Sequence, residues 1–343
     1  MSNRRDFIKQ ISAAGMLSGM PNVLFSQQNG DNDKIWACLL HLSFNMWEEY
    51  ISLHRPFRGY RPDLELSESL WNDAISKMAG QGMNMVVIDL GDAIKYESHP
   101  EIAVNNAWTT TRLRSELKKI RKMGLEPIPK LNFSAGHDTW MGEYSRMVST
   151  KEYYDVCSDL IVEICDLFDK PRFFHLGMDE ETASHQSHQR HVVIRKNDAW
   201  WKDFYFLVEE VEKQDSRAWI WPDYMLLNSP EQFYKKMPKS VVQSNWYYSE
   251  KFKELNESQQ KYVKAYLELQ AHGYDQIPTG SYHAENDNSI GNTVKFCKEH
   301  IEDSHLLGFM QSFWKPTIEE YRARILKGIE LAGDARDWFV KKN

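Results

Sequence analysis

The sequence has little cysteine and, beyond its N-terminus, no long hydrophobic run. Its 343 residues include 4 cysteines, none with C-x-x-C spacing, which argues against a disulfide scaffold or a cysteine-ligated metal site. Cys157 and Cys165 lie on an apolar helical stripe, so we expect buried thiols. No segment after the N-terminus has the roughly 18 consecutive apolar residues that a membrane helix needs. We therefore expect no membrane partner once the N-terminal segment is removed.

Three further signatures are missing. No Gly-rich phosphate loop follows an early strand, which argues against an open doubly wound sheet. No G-x-S-x-G elbow is present, so a serine nucleophile has no support. The net charge is -7, and no Lys/Arg stripe is interleaved with aromatics, so nucleic acid is not an expected partner.

Aromatic residues are abundant. The chain has 12 Trp, 16 Tyr and 16 Phe, more than a core of this size needs, within a composition that is 42% hydrophobic and 27% charged. Most of these rings belong to the core of an ordinary globular protein. The excess predicts a carbohydrate partner, because sugar rings stack on aromatic faces.

The N-terminus is typical of an export signal. Arg4 and Arg5 form a twin-arginine pattern, and an apolar segment from Ile11 to Phe25 follows them. The cleavage site is poorly marked, because Phe25 to Gln28 is not an A-x-A pattern. We predict that residues 1–28 are the signal and that the mature protein is periplasmic or secreted.

Strand-like and helix-like patterns alternate from residue 29 to residue 343 without a Gly/Ser or Pro linker. This count and length predict an α/β fold, a single-domain (β/α)8 TIM barrel. The eight predicted strands are Ile35–Phe44, Met83–Leu90, Glu126–Phe133, Arg172–Met178, Ala218–Met225, Val241–Tyr247, Ile277–Tyr282 and Leu307–Phe313.

In such a barrel the site lies at the carboxyl ends of the strands. Carboxylates and indoles gather at these predicted ends, which favours a pocket for a polyol. The residues concerned include His137 after strand three; Asp179 and Glu180 at four; Trp221 and Asp223 at five; Trp246 at six; Tyr282 and Glu285 at seven; and Trp314 at eight.

The fourth predicted strand carries the most informative motif. Side-chain alternation places His175, Gly177 and Asp179 on one face and leaves Glu180 where the strand gives way to a loop. Two neighbouring acids raise the pKa of one of them, so that one can donate a proton while the other stays ionised. A helix N-terminus enriched in acids is the alternative for such a run.

The segment His175-Leu176-Gly177-Met178-Asp179-Glu180 resembles H-x-G-x-D-E, the fourth-strand motif of glycoside hydrolase family 20, the β-N-acetylhexosaminidases and their relatives. Gly136-His137 is similar to the family's P-G-H, with Ala135 in place of Pro. The segment Gly308 to Trp314 is similar to its last strand. Weak similarity spans most of the chain after the signal, and the fourth-strand motif is its specific part.

The resemblance implies a mechanism of substrate-assisted retention, with exo-acting release of a terminal amino sugar and with no cofactor and no metal. Glu180 is then the general acid and base, and Asp179 orients the substrate's 2-acetamido group, whose oxygen attacks the anomeric carbon. Residues expected to bind substrate are His137, His175, Trp221, Asp223, Trp246, Tyr282, as donor to the acetamide oxygen, and Trp314.

The chain also departs from the family pattern. Leu42 to Asn45 stands where the family carries a sugar-gripping Arg, and Phe133 stands in place of an Asp. Lys315 follows the final Trp, where an acid is expected. These changes affect the expected contacts with the sugar and leave the acid motif intact. The resemblance therefore predicts the barrel and the glycosidase class more strongly than it predicts N-acetylglucosamine as the sugar.

Three alternatives stay open from the sequence. In a two-carboxylate glycosidase, Asp223 or Glu285 supplies the nucleophile and Glu180 the acid. In a carbohydrate-binding barrel, turnover has been lost. The third alternative is a metal site in the polar loop that carries His185, His188 and His191.

Overall fold

The computed structural model describes residues 34–51 and 53–342. The predicted export signal over residues 1–28 lies outside the described residues and stays a prediction. Within the described part of the chain, no helix is both long enough and apolar enough to cross a membrane.

Eight parallel strands form the central sheet, in the spatial order 6-5-4-3-2-1-8-7. Short strands at Ile94–Lys95 and Trp108–Thr109 pair with each other outside it. The eight strands of the sheet are β1 (Ile35–His41), β2 (Met85–Asp89), β3 (Glu126–Lys130), β4 (Phe173–Gly177), β5 (Arg217–Ile220), β6 (Val242–Gln243), β7 (Thr279–Ser281) and β8 (Gly308–Ser312).

The sheet closes between β6 and β7. The Ile277 amide donates to the Gln243 carbonyl at 2.9 Å, and the Thr279 amide donates to the Asn245 carbonyl at 2.9 Å. Closure leaves no free sheet edge, which is the defining feature of a barrel. The prediction of a (β/α)8 barrel is therefore confirmed.

Helices cover the outside of the barrel, and side chains cap several of their N-termini. Ser67, Thr109, Thr150, Ser229 and Asn256 each accept a hydrogen bond from a backbone amide of the first turn. The α-helices within the described residues are α1 (Glu68–Gly80), α2 (Thr110–Lys122), α3 (Lys151–Leu167), α4 (Asp198–Glu212), α5 (Asp223–Leu227), α6 (Pro230–Lys236), α7 (Glu257–Ala271), α8 (Ser289–His300) and α9 (Arg322–Lys341).

Two apolar cores follow from strand alternation. The larger core lies between the sheet and the helices and contains Cys38, Cys157, Cys165 and Cys297, all of them buried and free. The smaller core fills the barrel interior, with Leu39, Val87, Ile128, Trp219 and Met310 among its members. The barrel is therefore packed, and a site can form only at its ends.

Polar side chains close the inner core beneath the strand ends. We call His41, Asp89, Lys130 and His175 the floor cluster. The Lys130 ammonium donates to Asp89 Oδ2 at 2.5 Å, and His41 Nδ1 lies 3.2 Å from the same oxygen. Burial acts to raise the pKa of Asp89, but the Lys130 charge, and then His41, outweigh burial and lower it to about 2. The positive charge of Lys130 and the negative charge of Asp89 therefore balance each other within the floor cluster.

The later strands are shorter than the sequence predicts. The segment predicted as strand up to Met225 ends at Ile220, because Pro222 interrupts it and α5 begins at Asp223. Strand β6 is two residues long, and the chain that follows keeps an extended course marked by a bridge between Trp246 and Thr279.

Candidate functional site

The chain leaves β4 through a tight turn. Gly177, Met178 and Glu180 have φ values of 73°, 70° and 51°, a region that non-glycine residues rarely adopt. Such strain is often found at functional sites. The turn brings Glu180 to the same side as Asp179, although simple alternation would place consecutive side chains on opposite faces.

Asn132, beyond the end of β3, holds Asp179 in place. Its Nδ2 donates to Asp179 Oδ1 at 2.7 Å, and its Oδ1 accepts from the amides of Ser134 and Met178 at 3.1 and 3.3 Å. A Cβ at Gly177 would lie 2.0 Å from Asn132 Oδ1, so only glycine leaves room for this amide. The Asp179 carboxylate is thereby fixed and is only 6% exposed.

Glu180 lies between two imidazoles. Its Oε2 is 3.4 Å from His137 Nε2, and its Oε1 is 3.4 Å from His185 Nε2. Burial acts to raise the pKa of Glu180, but pairing with His137 and with His185 outweighs burial and lowers it below its ordinary value. The free site therefore holds Glu180 as a carboxylate.

His137 is the more basic member of this pair. Burial acts to lower its pKa, whereas Asp179 and then Glu180 raise it, and the two carboxylates prevail. Its Nδ1 lies 3.9 Å from Asp179 Oδ1, so the ring faces both acids. The imidazole is therefore held between the two carboxyl groups.

The loop after β3 packs directly on the turn after β4. The Ser134 hydroxyl donates to the Asp179 carbonyl. A Cβ at Gly136 would lie 2.9 Å from the Glu180 carbonyl oxygen, so this position favours glycine. His137 follows immediately, and this contact therefore sets its distance from Glu180.

A buried ion network supports the turn from behind. Arg195 Nη2 donates to Glu181 Oε2 at 2.6 Å and to the Phe133 carbonyl at 3.0 Å, and its Nη1 donates to Asp203 Oδ2 at 3.2 Å. One buried guanidinium thus links the loops after β3 and β4 to helix α4.

Asp223 is a third buried acid close to the pair. Trp246 Nε1 donates to Asp223 Oδ2 at 3.0 Å. Burial, and then the charges of Asp179 and Glu180, raise the pKa of Asp223 well above its usual range. Asp223 therefore holds its proton more tightly than an ordinary carboxyl group does.

Aromatic rings line one side of the site. Trp314 lies 5.7 Å from Trp221 and 5.9 Å from Trp47, measured between ring centroids. Trp47 packs edge-on against His137 at 4.4 Å. Trp314 Nε1 donates to the Tyr248 hydroxyl at 3.1 Å, and burial raises the pKa of that phenol, which stays protonated.

A cavity of about 320 Å³ opens above Glu180 and His137. The loop after β1 contributes Trp47, Glu48, His54, Arg55 and Arg58 to its walls, and the loop after β4 contributes Ser184, His185, Ser187 and His188. The size suits a sugar ring and part of its neighbour.

The structure brings most of the predicted substrate-binding residues together, and two of them lie elsewhere. His175 is buried below the site between Trp219 and Trp221, at centroid distances of 5.1 and 4.8 Å. Tyr282 packs outside the barrel, with its Cβ near Gly328 of α9 and its hydroxyl paired with Asp287. Its position does not support the role of acetamide donor, because Ser281, not Tyr282, faces inward.

The acids and histidines of the alternative predictions lie partly outside and partly inside the cavity. Glu285 is exposed at the rim and pairs with Arg324. His185 and His188 line the cavity. Within residues 34–51 and 53–342, no three His, Cys, Asp or Glu side chains are grouped to hold a metal ion.

Sequence reasoning missed Asn132, Tyr248 and Arg195, and it named His185 only within an alternative metal site, not beside Glu180. Alternation offered a signal for two of them: counting inward positions from Ile128 reaches Asn132, and counting from Val242 reaches Tyr248. His185 and Arg195 lie in an irregular loop, where no periodicity exists to place them.

No protein-family model matches the sequence, and a search of curated proteins finds no match. Solved structures do match. An exo-β-N-acetylglucosaminidase of glycoside hydrolase family 20 from Vibrio harveyi, in complex with N-acetylglucosamine, is 12% identical, with a TM-score of 0.58 over 87% of this chain and 54% of that one.

Two further structures give the same result. The β-N-acetylhexosaminidase from Bacteroides fragilis is 13% identical, with a TM-score of 0.56 over 87% of this chain and 65% of that one. The family 20 enzyme from Streptomyces coelicolor is 11% identical, with a TM-score of 0.58 over 88% and 64%. The chain spans about half to two thirds of the length of these enzymes. It therefore has the (β/α)8 fold of glycoside hydrolase family 20 catalytic barrels.

Proposed function

We propose that this protein is a glycoside hydrolase that releases a terminal β-linked 2-acetamido sugar with retention of configuration. The observation that carries the proposal is the fixed Asp179 carboxylate next to Glu180, with His137 facing both acids. The likeness to family 20 barrels supports the same chemistry, and the Vibrio harveyi structure holds N-acetylglucosamine.

Asp179 orients the nucleophile in this proposal. Its carboxylate accepts the acetamide N–H, which turns the acetamide oxygen towards the anomeric carbon and stabilises the positive charge that develops on the amide. The Tyr248 hydroxyl is the candidate donor to the acetamide oxygen. It lies against Trp314, and the charge of Asp179 acts on its ionisation.

Glu180 protonates the leaving oxygen as the glycosidic bond breaks. In the free site the proton lies on His137, because pairing lowers the pKa of Glu180 and raises that of His137. A bound sugar excludes water, which raises the pKa of a carboxyl and lowers that of an imidazole. Both changes move the shared proton to Glu180, where general acid catalysis needs it.

The second half of the reaction reverses these roles. Once the aglycone has left, the acetamide oxygen is bonded to the anomeric carbon in a five-membered ring. Glu180, now a carboxylate, takes a proton from water as that water attacks the anomeric carbon and the ring opens. The proton returns to the enzyme, and two displacements give net retention.

Asp223 and Glu285 are poor candidates for a covalent nucleophile. The pKa of Asp223 is raised, first by burial and then by Asp179, so it is a neutral acid, whereas a nucleophile must be ionised. Glu285 is exposed and bonded to Arg324. The substrate's own acetamide is then the remaining nucleophile near Asp179.

The site is a pocket with a solid base. Trp221 and His175 are both buried beneath Trp314, so a sugar chain cannot pass through the barrel. The cavity of about 320 Å³ holds a sugar ring and part of its neighbour, and on this ground we propose exo action on a terminal residue. We also propose that the enzyme acts outside the cytoplasm, on the ground of Arg4 and Arg5 before an apolar segment.

The test is hydrolysis of nitrophenyl β-glycosides, with the N-acetylglucosaminide and the N-acetylgalactosaminide compared with the glucoside and the galactoside. We expect turnover only of the acetamido sugars, with a large loss of rate in Asp179→Asn and a smaller fall in Glu180→Gln, because nitrophenolate needs little protonation to leave. Glu285→Gln is the matched control, an acid at a strand end outside the cavity. Turnover that persists in Glu180→Gln at the wild-type rate would overturn the proposal.

A further inference from the structure

The loop after β4 contributes only polar side chains to the lining of the cavity. We call these four residues the polar wall: Ser184, His185, Ser187 and His188. All four are exposed, so their hydroxyl groups and imidazoles are accessible to a ligand. The wall from the loop after β1, by contrast, carries the Trp47 ring. Hydroxyl groups and imidazoles match a ligand that has hydroxyl groups of its own.

A buried glutamine fixes the shape of this loop. Gln186 is fully buried; its Nε2 donates to the Val193 carbonyl at 2.8 Å, and its Oε1 accepts from the Val193 amide at 2.7 Å. At the edges of the loop, Arg195 donates to Glu181 at 2.6 Å. The neighbours of Gln186 are thereby held at the cavity before any ligand binds. Side chains that are already fixed lose less conformational entropy on binding.

Thr182 holds the His185 ring in place. Its Oγ1 lies 2.7 Å from His185 Nδ1 and accepts from the His185 amide at 3.3 Å. The other ring nitrogen, Nε2, lies 3.4 Å from Glu180 Oε1. A carboxylate can only accept a hydrogen bond, so Nε2 carries the hydrogen of this contact whether or not the ring is charged. His185 therefore directs a donor at Glu180 from the cavity side.

The two carboxyl oxygens of Glu180 have different surroundings. Oε2 faces His137, whose side chain is 1% exposed, so the packing leaves no open approach on that side. Oε1 faces His185, whose side chain is 37% exposed. The oxygen of the glycosidic bond must come within about 3 Å of the acid that protonates it. It therefore approaches Oε1, which brings the leaving group next to His185 Nε2.

We propose that the polar wall binds the leaving group and that this group is a sugar, with His185 as the donor nearest to the bond that breaks. Once Glu180 carries the proton for the leaving oxygen, the Nε2–H of His185 has lost its carboxylate acceptor. A hydroxyl of the leaving sugar takes that place. Ser184, Ser187 and His188 supply further donors and acceptors. This inference rests on the proposed function, since it names the leaving-group class of that same site.

Calorimetry on the wild-type protein, with ligands that resist hydrolysis, is the first test. Each ligand has a β-N-acetylglucosaminyl group joined through sulfur to one of three partners: N-acetylglucosamine, a cyclohexyl ring or the cysteine of a short peptide. We expect the disaccharide to bind about 5- to 30-fold more tightly than the other two, the range for one or two hydrogen bonds. Equal or weaker binding of the disaccharide overturns the proposal.

His185→Phe removes the donor and keeps a planar ring. It should lower the preference for the disaccharide over the cyclohexyl ligand about fivefold, the effect of one hydrogen bond. His185→Gln keeps an N–H donor and should retain part of the preference. His191→Phe is the matched control, because His191 lies in the same loop outside the cavity lining. A preference that survives unchanged in His185→Phe, or falls equally in His191→Phe, overturns the role of His185.

The same titrations separate this inference from the proposed function. Free N-acetylglucosamine is the reference, because it fills the pocket without a leaving group. A disaccharide that binds no more tightly than this monosaccharide overturns the subsite and leaves the proposed function intact. A disaccharide preference that is lost in His185→Phe supports the subsite even if no aryl glycoside is hydrolysed. Absence of binding by all of these ligands overturns both.

Discussion

Two groups of buried charges lie one above the other on the barrel axis, and they differ in how their charge is balanced. In the floor cluster, Lys130 donates to Asp89 at 2.5 Å and no acid is left over. In the site above, His137 faces both Asp179 and Glu180, and His185 faces Glu180. Burial, and then Asp179, raise the pKa of the third acid, Asp223, well above its usual range. A charge group balanced by its own members supports the fold, and one that is not balanced is ready for a ligand.

The largest expected effect concerns Glu180. Glu180→Gln should lower kcat/KM about 10²- to 10⁴-fold on a substrate whose leaving group is another sugar. The loss should be smaller for a nitrophenyl leaving group, which needs little protonation. Rates on a series of aryl glycosides measure this dependence on leaving-group pKa. A loss of equal size for every leaving group would contradict the role of general acid.

The floor cluster should respond in stability. Lys130→Met leaves the Asp89 charge buried and unpaired, so we expect a loss of about 3 to 5 kcal/mol of unfolding free energy in urea. The double variant Lys130→Met with Asp89→Leu should regain most of it, because no charge is left unpaired. Lys151→Met breaks an exposed pair and should change stability by less than about 0.5 kcal/mol.

If Lys130→Met lowered the unfolding free energy no more than Lys151→Met does, the buried pair would not stabilise the fold.

The same buried pair also predicts a pH dependence of stability. The folded pKa of Asp89 is lowered to about 2 by Lys130 and His41 against burial, below the ordinary value of 3.8. Its contribution to stability is then present above pH 3.8 and is lost as pH falls through about 2.

Asn132 connects strand β3 to the acid pair, and replacing it tests whether the site depends on the position of Asp179. Asn132→Leu removes the 2.7 Å hydrogen bond to Asp179 with little change of volume. We expect kcat on an acetamido substrate to fall about 10- to 100-fold, the range for a hydrogen bond to a charged group. If Asn132 only positions Asp179, the pH profile, which His137 and Glu180 set, should stay unchanged. A kcat within twofold of the wild-type value would contradict this positioning role.

The smallest expected effect is a shift of the pH profile. In the wild type, the alkaline limb of kcat/KM reports loss of the proton that His137 and Glu180 share, and the pKa of His137 is raised by Asp179 and Glu180 despite burial. In His137→Asn that proton can lie only on Glu180. The alkaline limb should therefore move to lower pH, and an unchanged limb would show that His137 does not share the proton.

Much of the fold could be predicted from the sequence, because most strands are short apolar runs and the helices between them are amphipathic. His175 faces the barrel interior beside Trp219 and Trp221, as alternation along β4 requires. The weaker predictions lie where periodicity ends. Pro222 shortens β5, and Tyr282 sits one residue off the inward register set by Thr279 and Ser281.

The candidate site was less predictable because loops complete it. Glu180 reaches the site through a turn with positive φ, which alternation does not describe. His185 and Arg195 come from an irregular loop, and their contacts with Glu180 and Glu181 depend on tertiary packing alone. The motif could be read from sequence, but the groups that set its protonation could not.

The central claim is that the substrate's acetamide is the nucleophile, oriented by Asp179. The most direct test replaces the N-acetyl group of a nitrophenyl glycoside with its mono-, di- and trifluorinated forms, which makes the amide oxygen progressively less nucleophilic. We predict that kcat/KM falls with each added fluorine. A rate that is independent of fluorination would contradict the account and would point to a nucleophile supplied by the protein.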